Sequence, residues 1–147
     1  MQTLIIIRPY AVNRGLVGEI LTRFEKHGIF FSGLKVHWIV REEAEQLYGQ
    51  HKGQDFYERL INDMLEGPSI MAVLDTDVLD NESAIKLVRK IIGDTDPAKA
   101  EMGTIRGDFG LRIAQNIIHA SDSRTAAERE IPIFFEKKEI VKYREKK

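Results

Sequence analysis

A chain of 147 residues with 43% hydrophobic and 31% charged side chains is expected to form one domain over residues 1–147, large enough to bury its own core and too apolar to stay disordered. A formal net charge of -1 argues against a protein built to coat nucleic acid or an acidic membrane. The absence of cysteine excludes disulfides, thiol nucleophiles and cysteine zinc sites and, with no signal-like or membrane-length apolar run, makes a cytoplasmic protein the expectation.

In chain order, TLIII (3–7) reads as a strand that closes at Arg8-Pro9, because proline cannot continue a ladder. Asn13 is expected to cap a helix carrying Leu16, Val17, Ile20, Leu21 and Phe24, with Gly28 as its stop. IFFSGLKVHWIV (29–40) reads as a second strand, in which Leu34, Val36 and Trp38 alternate with Lys35 and His37. Two short helices are expected over 41–48 and 54–66, joined by a loop that holds His51.

SIMAVLD (69–75) is the third predicted strand, and Asn81 is expected to cap a helix with Ala84, Ile85, Val88, Ile91 and Ile92 on one face. Asp75, Asp77 and Asp80 lack the glycine and terminal glutamate of a calcium loop, so they read as a polar connection. Residues 93–110 form a long stretch rich in glycine and aspartate, a length that usually carries function or hides an element. Ser123 is expected to open a helix through Glu130, IPIFF (131–135) to form a fourth strand, and the charged end from Glu136 to remain solvated or frayed. Strands divided by helices fit either a doubly wound sheet or a ferredoxin-like α/β sandwich. With four strands the expectation is the second: a four-stranded antiparallel sheet with helices packed on it.

Three short motif matches carry no weight. Gly28 and Gly33 have P-loop spacing, but no lysine follows Gly33 directly; DFG (108–110) lacks the partner motifs of protein kinases; RGD (106–108) has no extracellular context. No two histidines are spaced as metal ligands, and His27, His37 and His51 read as structural.

His119, in NIIHASDS (116–123), has different company. Asn116 precedes it, Ser121 follows it, and Glu130 is eleven residues on, within reach if the next helix folds back. A carboxylate on one ring nitrogen leaves the other oriented and more nucleophilic, although a structural histidine is the commoner outcome for such a residue alone. Arg106, set between glycines, together with Arg89 and Thr95, forms a candidate polyphosphate site, because guanidinium forks match phosphate oxygens.

NIIHASDS, with GDTDPAKAEMGTIRGDFG before it and NRGLVGEILTRFEKHG near the start, resembles the nucleoside diphosphate kinase family, and the similarity runs from Thr3 to about Tyr143. The resemblance implies a ferredoxin-like sandwich that transfers a γ-phosphoryl group between nucleotides through a phosphohistidine. Mg2+ is implied on the nucleotide phosphates rather than on protein ligands. His119 is then the nucleophile and Glu130 the carboxylate that orients it, with Ser121 and Tyr48 beside the transferred phosphate. Arg89, Thr95 and Arg106 hold the polyphosphate, Asn116 the sugar hydroxyl, and Phe56 stacks on the base with Leu60 and Ile113 around it. The implied partners are nucleoside di- and triphosphates and further copies of the chain, as a hexamer in preference to a tetramer or dimer.

The match departs at RPYAV, where the family has Lys-Pro-Asp. Arg8 stands at the lysine that reaches sugar and phosphoryl group, and Tyr10 at the aspartate. Arginine is planar and larger than lysine, so the alternative is a catalytically weakened member that binds nucleotides in a regulatory or scaffolding role. A nucleic-acid binder of the same fold is disfavoured by the charge and by the lack of an aromatic RNA-binding motif.

Overall fold

The computed structural model describes residues 2–144. Its organisation begins with β1 (Gln2–Ile7), in which Leu4 and Ile6 point to one face and Ile5 and Ile7 to the other, all fully buried. A strand apolar on both faces must lie inside a sheet covered on both sides. Accordingly β1 sits between β3 (Ser69–Asp75) and β4 (Ile118–Ala120), with β2 (Phe30–His37) outside β3, giving the order β2-β3-β1-β4. Every neighbouring pair is antiparallel.

Among the described residues seven α-helices surround the sheet: α1 (Pro9–Asn13), α2 (Val17–Glu25), α3 (Arg41–Leu47), α4 (Tyr57–Leu65), α5 (Asn81–Ile92), α6 (Ile105–Phe109) and α7 (Arg124–Phe134). On the face of Leu4 and Ile6, α3, α4 and α7 bury Leu47, Ile61, Met64 and Phe134. On the other face α2 and α5 bury Ile20, Phe24, Val88 and Ile92 against Ile5, Ile7 and Leu74. Truncating a fully buried residue such as Ile61 to alanine costs roughly 2–5 kcal/mol. No helix among the described residues is long and apolar enough to cross a membrane.

The expected architecture is observed, but its fourth strand is another segment. IPIFF lies in and just beyond the last turn of α7, where Ala127, Glu130, Ile131 and Phe134 share one buried helical face. Burial at period 3.6 overrides the local β preference. Pro132 is tolerated near the helix end, and Phe135 N–H still reaches Ile131 O at 2.9 Å. The fourth strand is instead the three residues around His119, too short for an alternation to show.

Other expectations shift for local reasons. Pro9 does not merely end β1; its fixed φ also starts α1, so Asn13 ends that helix and α2 begins at Val17. The side chain that caps α5 is Asp80, accepting from Ser83 N at 2.8 Å, rather than Asn81. The 93–110 stretch contains α6, capped by Thr104. In β2 the alternation is real but inverted: Lys35 and His37 face the helices, where His37 Nε2 meets Glu43 at 2.8 Å, while Leu34, Val36 and Trp38 are exposed. The end of the chain folds back on this strand, with Val141 N–H on Ser32 O at 2.7 Å and Tyr143 OH on Phe31 O at 3.0 Å. The expected solvated tail is therefore a docked segment up to Arg144; residues 145–147 lie outside the described residues.

Candidate active site

The pairing of β4 with β1 sets His119 opposite Ile6, so its ring projects onto the face covered by α3, α4 and α7. Nearly two turns into α7, which Ser123 caps by accepting from Ala126 N, the helix brings Glu130 back over the histidine. The His119 Nε2 to Glu130 Oε1 distance is 2.8 Å, and Ser121 Oγ donates to the same oxygen at 2.9 Å. Because an ionised carboxylate only accepts, Nε2 carries the proton and the Nδ1 lone pair is left available. Burial pushes the Glu130 carboxyl up, but the hydrogen bond and charge of His119, with Ser121 and Arg129, outweigh it and hold the group below the ordinary glutamate value.

Tyr48, at the end of α3, sets its ring edge-on to His119, with centroids 5.9 Å apart and planes at 90°. Burial raises its phenol pKa, with Arg8 opposing the shift, so the hydroxyl stays neutral. On the far side, Arg106 from α6 is threaded between backbones: Nη1 donates to Gly93 O at 3.1 Å and Nη2 to Ile118 O at 2.9 Å. Glycines allow the close packing of the loop that carries Arg106. Gly93 has φ +90° and lies against Thr104, and a Cβ on Gly107 would collide with Glu101 O.

Burial, followed by the charges of Arg89 and Arg8, lowers the Arg106 pKa to about 10. Its Nε is buried without a hydrogen-bond partner, as is Nη2 of Arg8. Arg8 itself is only 4% exposed; its backbone N–H holds Ile117 O at 3.0 Å, and its Nε contacts Met64 Sδ at 3.2 Å. Buried guanidinium nitrogens without partners are costly, and an anion can satisfy them.

A cleft of about 610 Å³ opens over these groups. Its wall includes Arg8, Tyr48, Phe56, Leu60, Arg89, Thr95, Arg106, Ile113, Asn116 and His119, while Ser121 and Glu130 stand behind the histidine. Every site residue expected from the sequence therefore gathers in one place. The cleft also holds residues that sequence reasoning missed. Arg59 and Asp63 follow Phe56 at helical spacing, a legible signal in a predicted helix. His51, expected to be an ordinary loop residue, lies with its ring centroid 5.4 Å from that of Phe56 and 6.3 Å from that of Tyr48. Among the described residues no three His, Asp or Glu side chains converge as cation ligands.

The geometry agrees with what the chain resembles. The family model described as nucleoside diphosphate kinase matches residues 1–140. The nucleoside diphosphate kinase of Methanocaldococcus jannaschii is 50% identical over 139 residues, covering 95% of this chain and 96% of that one. That of Thermosipho melanesiensis is 49% identical over 142 residues, covering 97% and 93%. Among solved structures, the halophilic nucleoside diphosphate kinase from Halobacterium salinarum in complex with CDP superposes with a TM-score of 0.91 at 36% identity, covering 98% of this chain and 93% of that one. A Babesia bovis family protein gives a TM-score of 0.90 at 35% identity, covering 97% and 93%. With a family model across nearly its whole length and close relatives of the same extent, the chain belongs to the nucleoside diphosphate kinase family.

Proposed function

We propose that this chain transfers the γ-phosphoryl group of a nucleoside triphosphate to a nucleoside diphosphate through a phosphohistidine at His119. The observation that carries the assignment is the bond from His119 Nε2 to Glu130 Oε1, which leaves Nδ1 as the free nitrogen of a histidine in an arginine-lined cleft. In the first half-reaction the Nδ1 lone pair attacks the γ-phosphorus. The bond to the bridging oxygen breaks, and its electron pair leaves with the nucleoside diphosphate. In the second, a terminal β-phosphate oxygen of an incoming diphosphate attacks the phosphorus, and the N–P electron pair returns to Nδ1.

Positive charge builds on the imidazole as the N–P bond forms, and the ionised Glu130 stabilises it. Arg8, Arg89 and Arg106, with the Thr95 hydroxyl, take the charge on the phosphate oxygens; Tyr48 flanks the transferred group, whereas Ser121, expected beside it, stands behind the histidine and holds the Glu130 carboxylate. Phe56, 40% exposed at the start of α4, offers a flat face to any base, with Leu60 and Ile113 at its edges, and Asn116 reaches the sugar. By the family resemblance magnesium would enter on the nucleotide phosphates, and no step is routed through protein ligands to it.

Incubation with ATP labelled at the γ-phosphate is expected to label the protein, and His119→Ala to abolish the label. Label that persists in that variant would falsify the mechanism. The reading of a weakened, merely regulatory family member is not favoured, because nucleophile, orienting carboxylate and phosphate-binding arginines all converge. Self-association, as a hexamer by the family resemblance, is supported by Leu34, Val36, Trp38 and Val40, an exposed apolar row along and just beyond the edge strand β2. The activity is assigned to the cytoplasm, where its nucleotide substrates are held.

A further inference from the structure

Arg106 reaches the cleft from α6, a helix of five residues, and a segment that short does not keep its shape or place without outside contacts. One contact is made in the core, where Ile105 is fully buried. The others come from residues to which the proposed chemistry gives no role. At about 100° of turn per residue, Asp108 projects from nearly the opposite side of α6 to Arg106. There Arg23 of α2 meets it, Nη1 donating to Asp108 Oδ2 at 2.6 Å, and neither residue borders the cleft.

The pair belongs to a closed set of contacts. Gly103 N–H donates to Asp108 Oδ1 at 2.8 Å, and the same Arg23 Nη1 also donates to Gly103 O at 3.2 Å. Gly103 stands just ahead of Thr104, which caps α6, so these bonds gather the start of the helix. At its other end the Arg23 guanidinium lies over the Phe109 ring, 4.7 Å from the centroid, and Arg14 Nη1 donates to Phe109 O at 2.5 Å. Glu19, one turn earlier on α2, accepts from Arg23 Nε at 3.1 Å and fixes the direction of the fork. Both members of the pair are only 20% exposed. The Gly103 N–H, followed by Arg23, holds the Asp108 carboxyl below its ordinary value, so the pair is ionised at neutral pH. A lone exposed ion pair contributes little, but this one guanidinium binds the carboxylate, the backbone and the ring of one short helix and constrains it at both ends.

Arg106 has little slack of its own. Both terminal nitrogens are spent on the backbone carbonyls of Gly93 and Ile118, and its Nε is buried. A shift of α6 by about 1 Å therefore carries the guanidinium away from any phosphate it serves, and misplacements of that size have large effects at a reacting site. Resting on the nucleotide-binding reading above, we infer that Arg23 is a positioning residue: through Asp108 it holds α6 so that Arg106 meets the nucleotide phosphates. Arg23 touches neither substrate nor reacting atoms and acts through Arg106.

The test is a double-mutant cycle read by calorimetric titration with ADP and magnesium. Arg106→Ala is expected to weaken binding by roughly tenfold or more, the scale of hydrogen bonds to a charged group. Arg23→Met, which keeps an apolar stem over Phe109 and removes the charge, is expected to weaken it by about fivefold, within the coupling found between neighbouring residues. Arg23→Lys, which keeps a charge within reach of Asp108, is expected to fall between the parent and Arg23→Met. In the Arg106→Ala background Arg23→Met is expected to have no further effect, an outcome that a general loss of stability would not produce. Equal fold losses in the two backgrounds, or an Arg23→Met protein that binds as the parent does, overturns the inference while leaving the phosphotransfer reading intact. Asp108→Asn breaks the same pair from the other side and carries the cycle if Arg23→Met does not fold. Failure of the unmodified protein to bind ADP defeats the nucleotide reading itself, and this inference with it.

Discussion

The two ends of the reacting cleft are built on opposite plans. Around His119 the polar groups are already paired: Nε2 is held by Glu130, and Ser121 completes the carboxylate from the other side. Around the arginines they are not, since Arg8 Nη2 and Arg106 Nε lie buried without partners and Arg106 has its pKa lowered to about 10. On the proposed mechanism the nucleophile end thus has its geometry set before substrate arrives, which is where orientation limits the rate. The arginine end carries electrostatic stress that the proposed polyphosphate binding would relieve.

The largest effect is expected from disturbing the paired end. Glu130→Gln removes the charge that stabilises the imidazolium and admits an amide N–H that can donate to Nε2, moving the ring proton onto Nδ1. Formation of phosphohistidine, followed by rapid quench, is expected to slow by roughly a hundredfold or more. A variant within a factor of two of the parent would break the comparison, because pre-organisation would then count for little. The same pair sets a pH dependence. The folded pKa of Glu130 lies below its ordinary value, so the ionised pair contributes stability above the usual glutamate range near 4.3. That contribution is lost as pH falls through the depressed folded value. The Tm difference between parent and Glu130→Gln is therefore expected to be largest near neutrality and to close towards acid pH; a gap that widens on acidification contradicts the sign.

The stressed end is probed by an anion rather than by turnover. Inorganic tripolyphosphate is expected to raise the Tm of the unmodified protein by several degrees, because it binds only the folded state. Arg106→Ala is expected to lose most of that rise, and the same substitution also removes the bonds to Gly93 O and Ile118 O, so the variant starts from a lower Tm. An equal rise in parent and variant would show that relief of the arginine cluster is not what binds the phosphates.

The contrast also divides what the sequence made legible. Part of the cleft could be read from residue types and spacing, a histidine with a carboxylate eleven residues on and an arginine between glycines, whereas Tyr48, Phe56, Leu60 and Ile113 come only from the family resemblance. The element carrying the histidine could not, because β4 is three residues long and its pairing with β1 is settled by tertiary contact. IPIFF reads as a strand locally and becomes the last turn of α7 only because Ile131 and Phe134 find a core on a helical face. Asp63 was missed for another reason. Its position on the Phe56 stripe was available, but nothing in the sequence shows that the cleft extends to it.

The smallest effect is expected at Arg8, where the chain departs from the usual lysine. The guanidinium is not a loose replacement: it is 4% exposed, its Nε rests on Met64 Sδ, and it borders the cleft. Arg8→Lys keeps the charge but gives up the planar fork and leaves space beside Met64, so the ammonium must reach the same oxygens from a pocket shaped for a larger group. Turnover is expected to fall by less than about tenfold, the scale of one hydrogen bond, with most of the change in kcat rather than KM if the lost contact is to the transferred phosphoryl. A rise of about tenfold or more would reverse the argument, since one such contact is the most that lysine could restore. The arginine would then be a handicap, and the surrounding residues would not have adapted to it.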